Sequence, residues 1–267
     1  MMRHLGLVLL LGILSGICAA RPPSSGMPGI IGADDREMVD ARRFPWTAIG
    51  RLNGTLGGFC TATVIGPRRI LTAAHCLWNR RTGRWLPPCA LHFLAGYQRG
   101  SYAAHVLVSE IQLVSGFTFE GRQLNKDWAL LTLDRDVSAI TGVIDIASMP
   151  AAQGNALVQA GYSRDRPHVL TVDRGCRQTG IAAQGDLILH DCDATFGDSG
   201  SPLLVMQDGR YRLFGMHVAV QLQGDDARGV AVSTRAFADW VGLHPVTLPP
   251  GGARGCRLGP LGTAPAG

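Results

Sequence analysis

The 267-residue chain lacks an apolar run long enough to cross a bilayer, since residues 5–14 fall well short of the roughly 20 that a membrane helix needs. It has no C-x-x-C pair, so the usual spacing of a zinc site is missing, and no acidic loop of the kind that cages calcium. No metal or organic cofactor is expected. No basic run is longer than a pair such as Arg42-Arg43 or Arg80-Arg81, so the formal charge of +5 leaves no footprint for nucleic acid.

Residues 1–20 do carry a pattern. Arg3 and His4 precede the apolar run, and Ser15, Gly16 and small residues ending in Cys18-Ala19-Ala20 follow it, the make-up of a cleaved secretory signal. A lipid anchor on Cys18 would want a small residue where Ile17 stands. The mature chain is therefore expected to be exported, to a periplasm or out of the cell, with no membrane span. Losing Cys18 leaves six cysteines, Cys60, Cys76, Cys89, Cys176, Cys192 and Cys256, an even set that suits disulfides in an oxidising compartment.

The 35 glycines and 15 prolines are dispersed without a repeat, which argues against a helical bundle and for short strands between tight turns. About a dozen strand-like runs occur, at residues 47–52, 58–65, 69–72, 90–95, 105–113, 128–133, 156–160, 169–174, 186–190, 202–206, 212–220 and 227–233. A barrel or sandwich is the expected architecture. Residues 234–243 have helical character, with Phe237, Trp240 and Val241 on one apolar face, and are expected to pack on the domain before them. Residues 21–29 cannot build regular structure and read as a short pro-segment. The folded domain is expected over 30–243, followed by a Pro- and Gly-rich tail at 244–267, in a monomer.

Three short segments carry chemistry. A hydroxyl attacks an amide at neutral pH only if a base takes its proton and donors stabilise the oxyanion. Gly197-Asp198-Ser199-Gly200-Ser201-Pro202 puts a serine in a glycine-flanked turn, where the amides of Gly197 and Ser199 could form an oxyanion hole. Taken alone, it is as well read as an ordinary turn. Upstream, Leu71-Thr72-Ala73-Ala74-His75-Cys76 places a histidine among small residues at a strand end. Between them, Lys126-Asp127-Trp128-Ala129-Leu130-Leu131 sets a carboxylate before an apolar strand, where it could hold the His75 tautomer that accepts the serine proton. Asp134, Asp136 and Asp145 compete for that role from polar turns or less distinctive settings.

In the order His75, Asp127, Ser199, these segments resemble the trypsin/chymotrypsin family of serine peptidases. The resemblance covers about residues 30–243 and implies two six-stranded antiparallel β-barrels, an active site between them and a C-terminal helix. It implies an endopeptidase that acts on protein or peptide substrates through a Ser-His-Asp triad. It also suggests a Cys60–Cys76 disulfide; of the remaining four cysteines, Cys176 and Cys192 are the nearest pair and Cys89 and Cys256 are left to each other. A silent binding module on the same fold would lack part of the triad. An α/β-hydrolase esterase would need G-x-S-x-G and a histidine placed last, whereas here the histidine comes first.

The pattern also departs from the family. Ile30-Ile31-Gly32 resembles the N-terminus that family zymogens expose on activation, with Asp198 as the carboxylate that receives the new amine, so a cut after Gly29 is the expected activation step. Thr195 stands where the family has a cysteine, with Cys192 farther back. Ser201 and Gly215-Met216-His217 resemble the V8-like glutamyl endopeptidases of bacteria, which implies a histidine that reads an acidic side chain. Asp193, beside Ala194 and six residues before Ser199, instead matches the register of a carboxylate that binds Arg or Lys. Asp193, Ala194 and His217 are therefore the candidate specificity residues, with opposite consequences; equally, Asp193 reads as a turn hydrogen-bonder after Cys192 and His217 as a packed strand residue.

Overall fold

The computed structural model describes residues 27–121, 123–148, 154–223 and 226–243. The expected signal at 1–20, most of the pro-segment, the tail at 244–267 and Cys256 lie outside the described residues.

After the short β1 (Glu37–Met38), the first half of the chain forms a closed barrel of six antiparallel strands. In chain order these are β2 (Ile49–Gly54), β3 (Phe59–Gly66) and β4 (Arg69–Thr72), then, beyond a small hairpin of β5 (Trp78–Asn79) and β6 (Arg84–Trp85), β7 (Leu91–Ala95), β8 (Ala104–Leu113) and β9 (Ala129–Leu133). Burial alternates along β7, with Leu91, Phe93 and Ala95 inward, as a period of two demands. By contrast β9 is buried along its whole length, which its Ala and Leu residues around the single Thr132 permit.

Past a one-turn helix α1 (Ser138–Thr141), the second half builds a sheet from β10 (Val158–Gly161), β11 (Thr171–Asp173), β12 (Gln178–Ala182), β13 (Leu187–His190), β14 (Pro202–Gln207), β15 (Arg210–Gln223) and β16 (Asp226–Ser233). Its order is β1-β11-β10-β14-β15-β16-β13-β12. Backbone bonds from Leu157 to Cys176 and from Gln178 to Asn155 draw β12 back to the chain that leads into β10, so the sheet curls around its own core of Leu157, Ile188, Leu203, Val205 and Phe214. The class is all-β, as expected, with one barrel closed strand to strand and the second half an eight-stranded curled sheet.

Chain termination of the second half differs in detail from the expected helix. A 3-10 turn at Thr234–Ala236 precedes the short α2 (Ala238–Leu243). It packs on the first barrel: the Phe237 ring lies 5.7 Å from Trp128, and Arg69 donates to the Val241 carbonyl at 3.0 Å. The two halves are also tied by Tyr162, whose buried hydroxyl donates to the Tyr97 carbonyl at 2.8 Å. The sequence pattern missed β12, because Gln178, Thr179 and Gly180 give no apolar alternation; pairing with β13 makes it a strand.

Candidate active site

Register places the first two groups. β4 and β9 are antiparallel neighbours with Thr72 opposite Ala129, so the chain leaving β4 and the chain entering β9 emerge side by side. The first carries His75 in a 3-10 turn; the second carries Asp127. Asp127 is 5% exposed, accepts the His75 backbone N–H at 2.8 Å on one oxygen and contacts Nδ1 at 2.7 Å with the other. Two contacts from one residue fix both the ring and the backbone that bears it. The Cys60–Cys76 disulfide fastens the same turn to β3.

Ser199 comes from the second half, on the turn that enters β14. Its Oγ lies 2.9 Å from His75 Nε2. The turn is stitched to both halves: Thr61 N–H on β3 donates to the Ser199 carbonyl at 2.9 Å, and Gly200 N–H to the His217 carbonyl on β15 at 2.8 Å. Gly197 adopts φ +101°, and a Cβ there would meet the Tyr162 carbonyl oxygen at 2.6 Å, so this position demands glycine. Among the described residues, the N–H groups of Gly197 and Ser199 donate to no other group. A cavity of about 510 Å³ opens beside His75 and Asp127, lined also by Arg80, Phe119, Val218 and Gln221.

The specificity candidates separate. Asp193 is buried, with one oxygen accepting the Ile31 N–H at 2.7 Å and the other the Asp35 N–H at 2.9 Å. These bonds turn Asp193, the expected carboxylate for a guanidinium, to the N-terminal segment. Ala194 is buried beside it, its N–H donating to the Gly29 carbonyl at 2.9 Å. His217 is 2% exposed, and its Nδ1 lies 3.1 Å from Nε2 of His190. Burial, and then the neighbouring His75, pull His217 down to about 3. His190 is held well below the ordinary imidazole value by burial and by His217, and rests where only a glycine fits, since a Cβ on Gly229 would lie 2.0 Å from its ring.

Asp198 is fully hydrogen-bonded with the peptide between Gly29 and Ile30 intact. Its oxygens accept from Ser163 Oγ at 2.6 Å, Thr195 N–H at 2.9 Å and Gln159 Nε2 at 3.3 Å, while the Ile30 N–H donates to the Met27 carbonyl at 3.1 Å. Cys176–Cys192 forms the second disulfide, and Cys89 is also disulfide-bonded, with its expected partner Cys256 outside the described residues. Two clusters among the described residues have ligand atoms close together, one around His75 and one around Asp173, but their sulfurs belong to these disulfides and offer no thiolate. Sequence reasoning passed over His190, Arg36 and Ser163, and also Phe196, which is 62% exposed beside the Ser199 turn with the Arg164 guanidinium 5.5 Å from its ring. His190 on β13 and His217 on β15 meet across the intervening β16, so no local signal in the sequence marked the pair.

The sequence profile of the family described as Trypsin matches residues 34–241. The chain belongs to the trypsin family. It is 24% identical over 200 residues to a glutamyl endopeptidase of Bacillus licheniformis, covering 73% of this chain and 60% of that protein. It is 25% identical over 242 residues to CLIP domain-containing serine protease B4 of Anopheles gambiae, covering 74% of this chain and 66% of that protein. The chain thus spans about two thirds or less of these relatives. The solved structure of a Glu endopeptidase in complex with MPD has the same fold, with a TM-score of 0.69 at 23% identity over 80% of this chain and 98% of that one.

One consequence for this trypsin-family chain concerns pH and stability. Burial holds the Asp193 carboxyl up at about 6, with Asp173 and Asp34 adding repulsion, against about 3.9 in an unfolded chain. Between those values the folded state binds the extra proton, so this group's contribution is full below about pH 4 and is lost as pH rises through about 6. Urea midpoints for wild type and Asp193→Asn are expected to diverge in the variant's favour from pH 4 to pH 6. Parallel midpoints across that interval would refute the assignment.

Proposed function

We propose that this trypsin-family chain is an exported serine endopeptidase that works through Asp127, His75 and Ser199. The observation that carries the reading is the continuous hydrogen-bonded series from Asp127 through His75 to Ser199 Oγ, at 2.7 and 2.9 Å, beside two unengaged N–H groups. His75 takes the Ser199 proton as Oγ attacks the scissile carbonyl, and Asp127, ionised throughout, stabilises the imidazolium. The amides of Gly197 and Ser199 receive the oxyanion. His75 then protonates the leaving amine, and water, activated in turn by His75, releases the acyl group from Ser199. Export is supported by the leader-like residues 1–20 and by disulfides that persist outside reducing cytosol. A fluorophosphonate is expected to label one serine per chain, Ser199, and to abolish peptide cleavage; cleavage that survives full labelling would sink the reading.

The pocket reads an acidic side chain before the scissile bond. Both Asp193 oxygens are engaged by backbone N–H groups of the N-terminal segment, whereas His217 keeps Nε2 without a protein partner among the described residues, its tautomer set by His190 on Nδ1. A substrate carboxylate brought to Nε2 would raise the depressed His217 and draw a proton onto it. The likeness to a glutamyl endopeptidase supports the same choice. One charge-assisted bond of about 2–3 kcal/mol corresponds to a preference of ~100-fold. Chromogenic peptides that differ only in Glu, Arg or Phe at that residue are expected to give this ratio in kcat/KM for Glu; preference for Arg or Phe would overturn it.

A further inference from the structure

Arg36 stands in the N-terminal segment, far in sequence from the triad, yet its side chain is 0% exposed. Its guanidinium is fully engaged. Nε and Nη2 donate to Asp34 at 2.9 and 3.0 Å, Nη2 and Nη1 donate to Asp165 at 2.8 and 3.2 Å, and Nη1 donates to Ser163 Oγ at 2.9 Å. Asp34 and Asp165 with Arg166 would make a surface ion network by themselves; the bond to Ser163 carries it inward. Ser163, wholly buried, donates its own hydroxyl to Asp198 Oδ2 at 2.6 Å, and Asp198 is wholly buried in turn. An ionised carboxylate without solvent needs donors and a compensating charge.

Asp198 is also the residue next to Ser199, and Oδ2 closes the turn by accepting the Thr195 N–H at 2.9 Å. Holding this carboxylate therefore holds the peptide planes that aim the Gly197 and Ser199 N–H groups. The rest of the N-terminal segment grips the same loop: the Gly29 carbonyl accepts from Ala194, and Asp193 accepts from Ile31 and Asp35. All of this is in place with the peptide between Gly29 and Ile30 intact.

We propose that Arg36 is a positioning residue for catalysis, which through Ser163 and Asp198 orders the loop that carries the oxyanion donors and supplies from within the chain the positive charge that a freed α-amine of Ile30 would otherwise bring. The cut after Gly29 is then unnecessary, and residues 29–36 act as a built-in clamp. Burial pushes the Asp198 carboxyl up, while Ser163, the Thr195 N–H and Arg36 pull it back. The groups around Asp198 are Gln159 from β10, Ser163 from the following loop, Thr195 and Ser201 from its own turn, and the Arg36 charge, with Asp34, Asp165 and Arg166 beyond it. Loss of Arg36 thus makes Asp198 harder to ionise.

The inference rests on the peptidase reading above, and its test separates the two. Arg36→Met and Ser163→Ala, the second leaving the ion pairs intact should the first not fold, are compared with wild type that retains residues 21–29. Both variants are expected to lose kcat by about 100-fold, the scale of one lost oxyanion donor, with KM within about threefold. The acid limb of their kcat/KM profile is expected to move to higher pH, and Arg36→Lys to recover part of kcat. A chain that begins at Ile30 is expected to be no more active than one that retains 21–29. Unchanged kcat and pH profile in both variants, or activity that appears only after the cut at Gly29, overturns the proposal while Ser199 labelling leaves the peptidase reading standing. Should wild type neither cleave nor label, the peptidase reading fails, and amide hydrogen exchange decides the clamp: exchange at 194–199 about tenfold faster in both variants, with β3 and β9 unchanged, supports it, and unaltered exchange there overturns it.

Discussion

Ser199→Ala is expected to lower kcat by about a million-fold while leaving substrate binding nearly intact, because in the proposed mechanism Oγ forms the covalent bond and nothing replaces it. The turn itself should survive the change. Its geometry is held by backbone bonds from Thr61 and Gly200, by the Gly197 conformation and by Asp198, none of which uses the serine hydroxyl. A residue of activity about 10³–10⁴ above the uncatalysed rate is expected from the Gly197 and Ser199 amides, which remain. Single-turnover kinetics on a chromogenic peptide, with the acyl-enzyme burst as the signal, measure this directly. A burst of full amplitude in the variant would assign the nucleophile elsewhere.

Asp127→Asn is expected to cost about 10⁴ in kcat, two orders less than loss of the nucleophile. The variant keeps an oxygen for the His75 N–H, so the backbone stays in place. What changes is the second contact. An amide NH₂ at Asp127 Oδ2 donates to Nδ1, which forces the proton onto Nε2 and points a donor at Ser199 where an acceptor is required. The small reorganisation predicts little change in KM or in thermal midpoint, so that a large loss of stability would show the substitution acting through the fold. A loss in kcat below tenfold would show that His75 finds its tautomer without Asp127.

Much of this site was legible along the chain because its chemistry is local. His75 follows a strand end of small residues, Asp127 precedes an apolar strand, and Ser199 lies in a turn that glycines make; each requirement is met by adjacent residues. The alternation of apolar residues likewise marked most strands, and failed at β12, whose polar residues are a strand only because β13 lies beside them. The approach of His75 to Asp127 follows from the pairing of β4 with β9, a register that no stretch of either strand contains.

The fate of the other acidic residues was not local. Asp193 and Asp198 are both loop carboxylates near Ser199, and sequence gave each a plausible charged partner. Folding decided between offering a charge and occupying it, since Asp193 receives the N–H of a residue 162 positions away and Asp198 is reached from Arg36 through Ser163. His217 changed meaning in the same way once His190 was packed against it. The sequence by itself picked out the proposed nucleophile, base and orienting acid, because covalent neighbours define their setting. The tertiary structure alone decided which charges face the substrate and which are neutralised inside, because burial and hydrogen bonding depend on groups that only folding brings into contact.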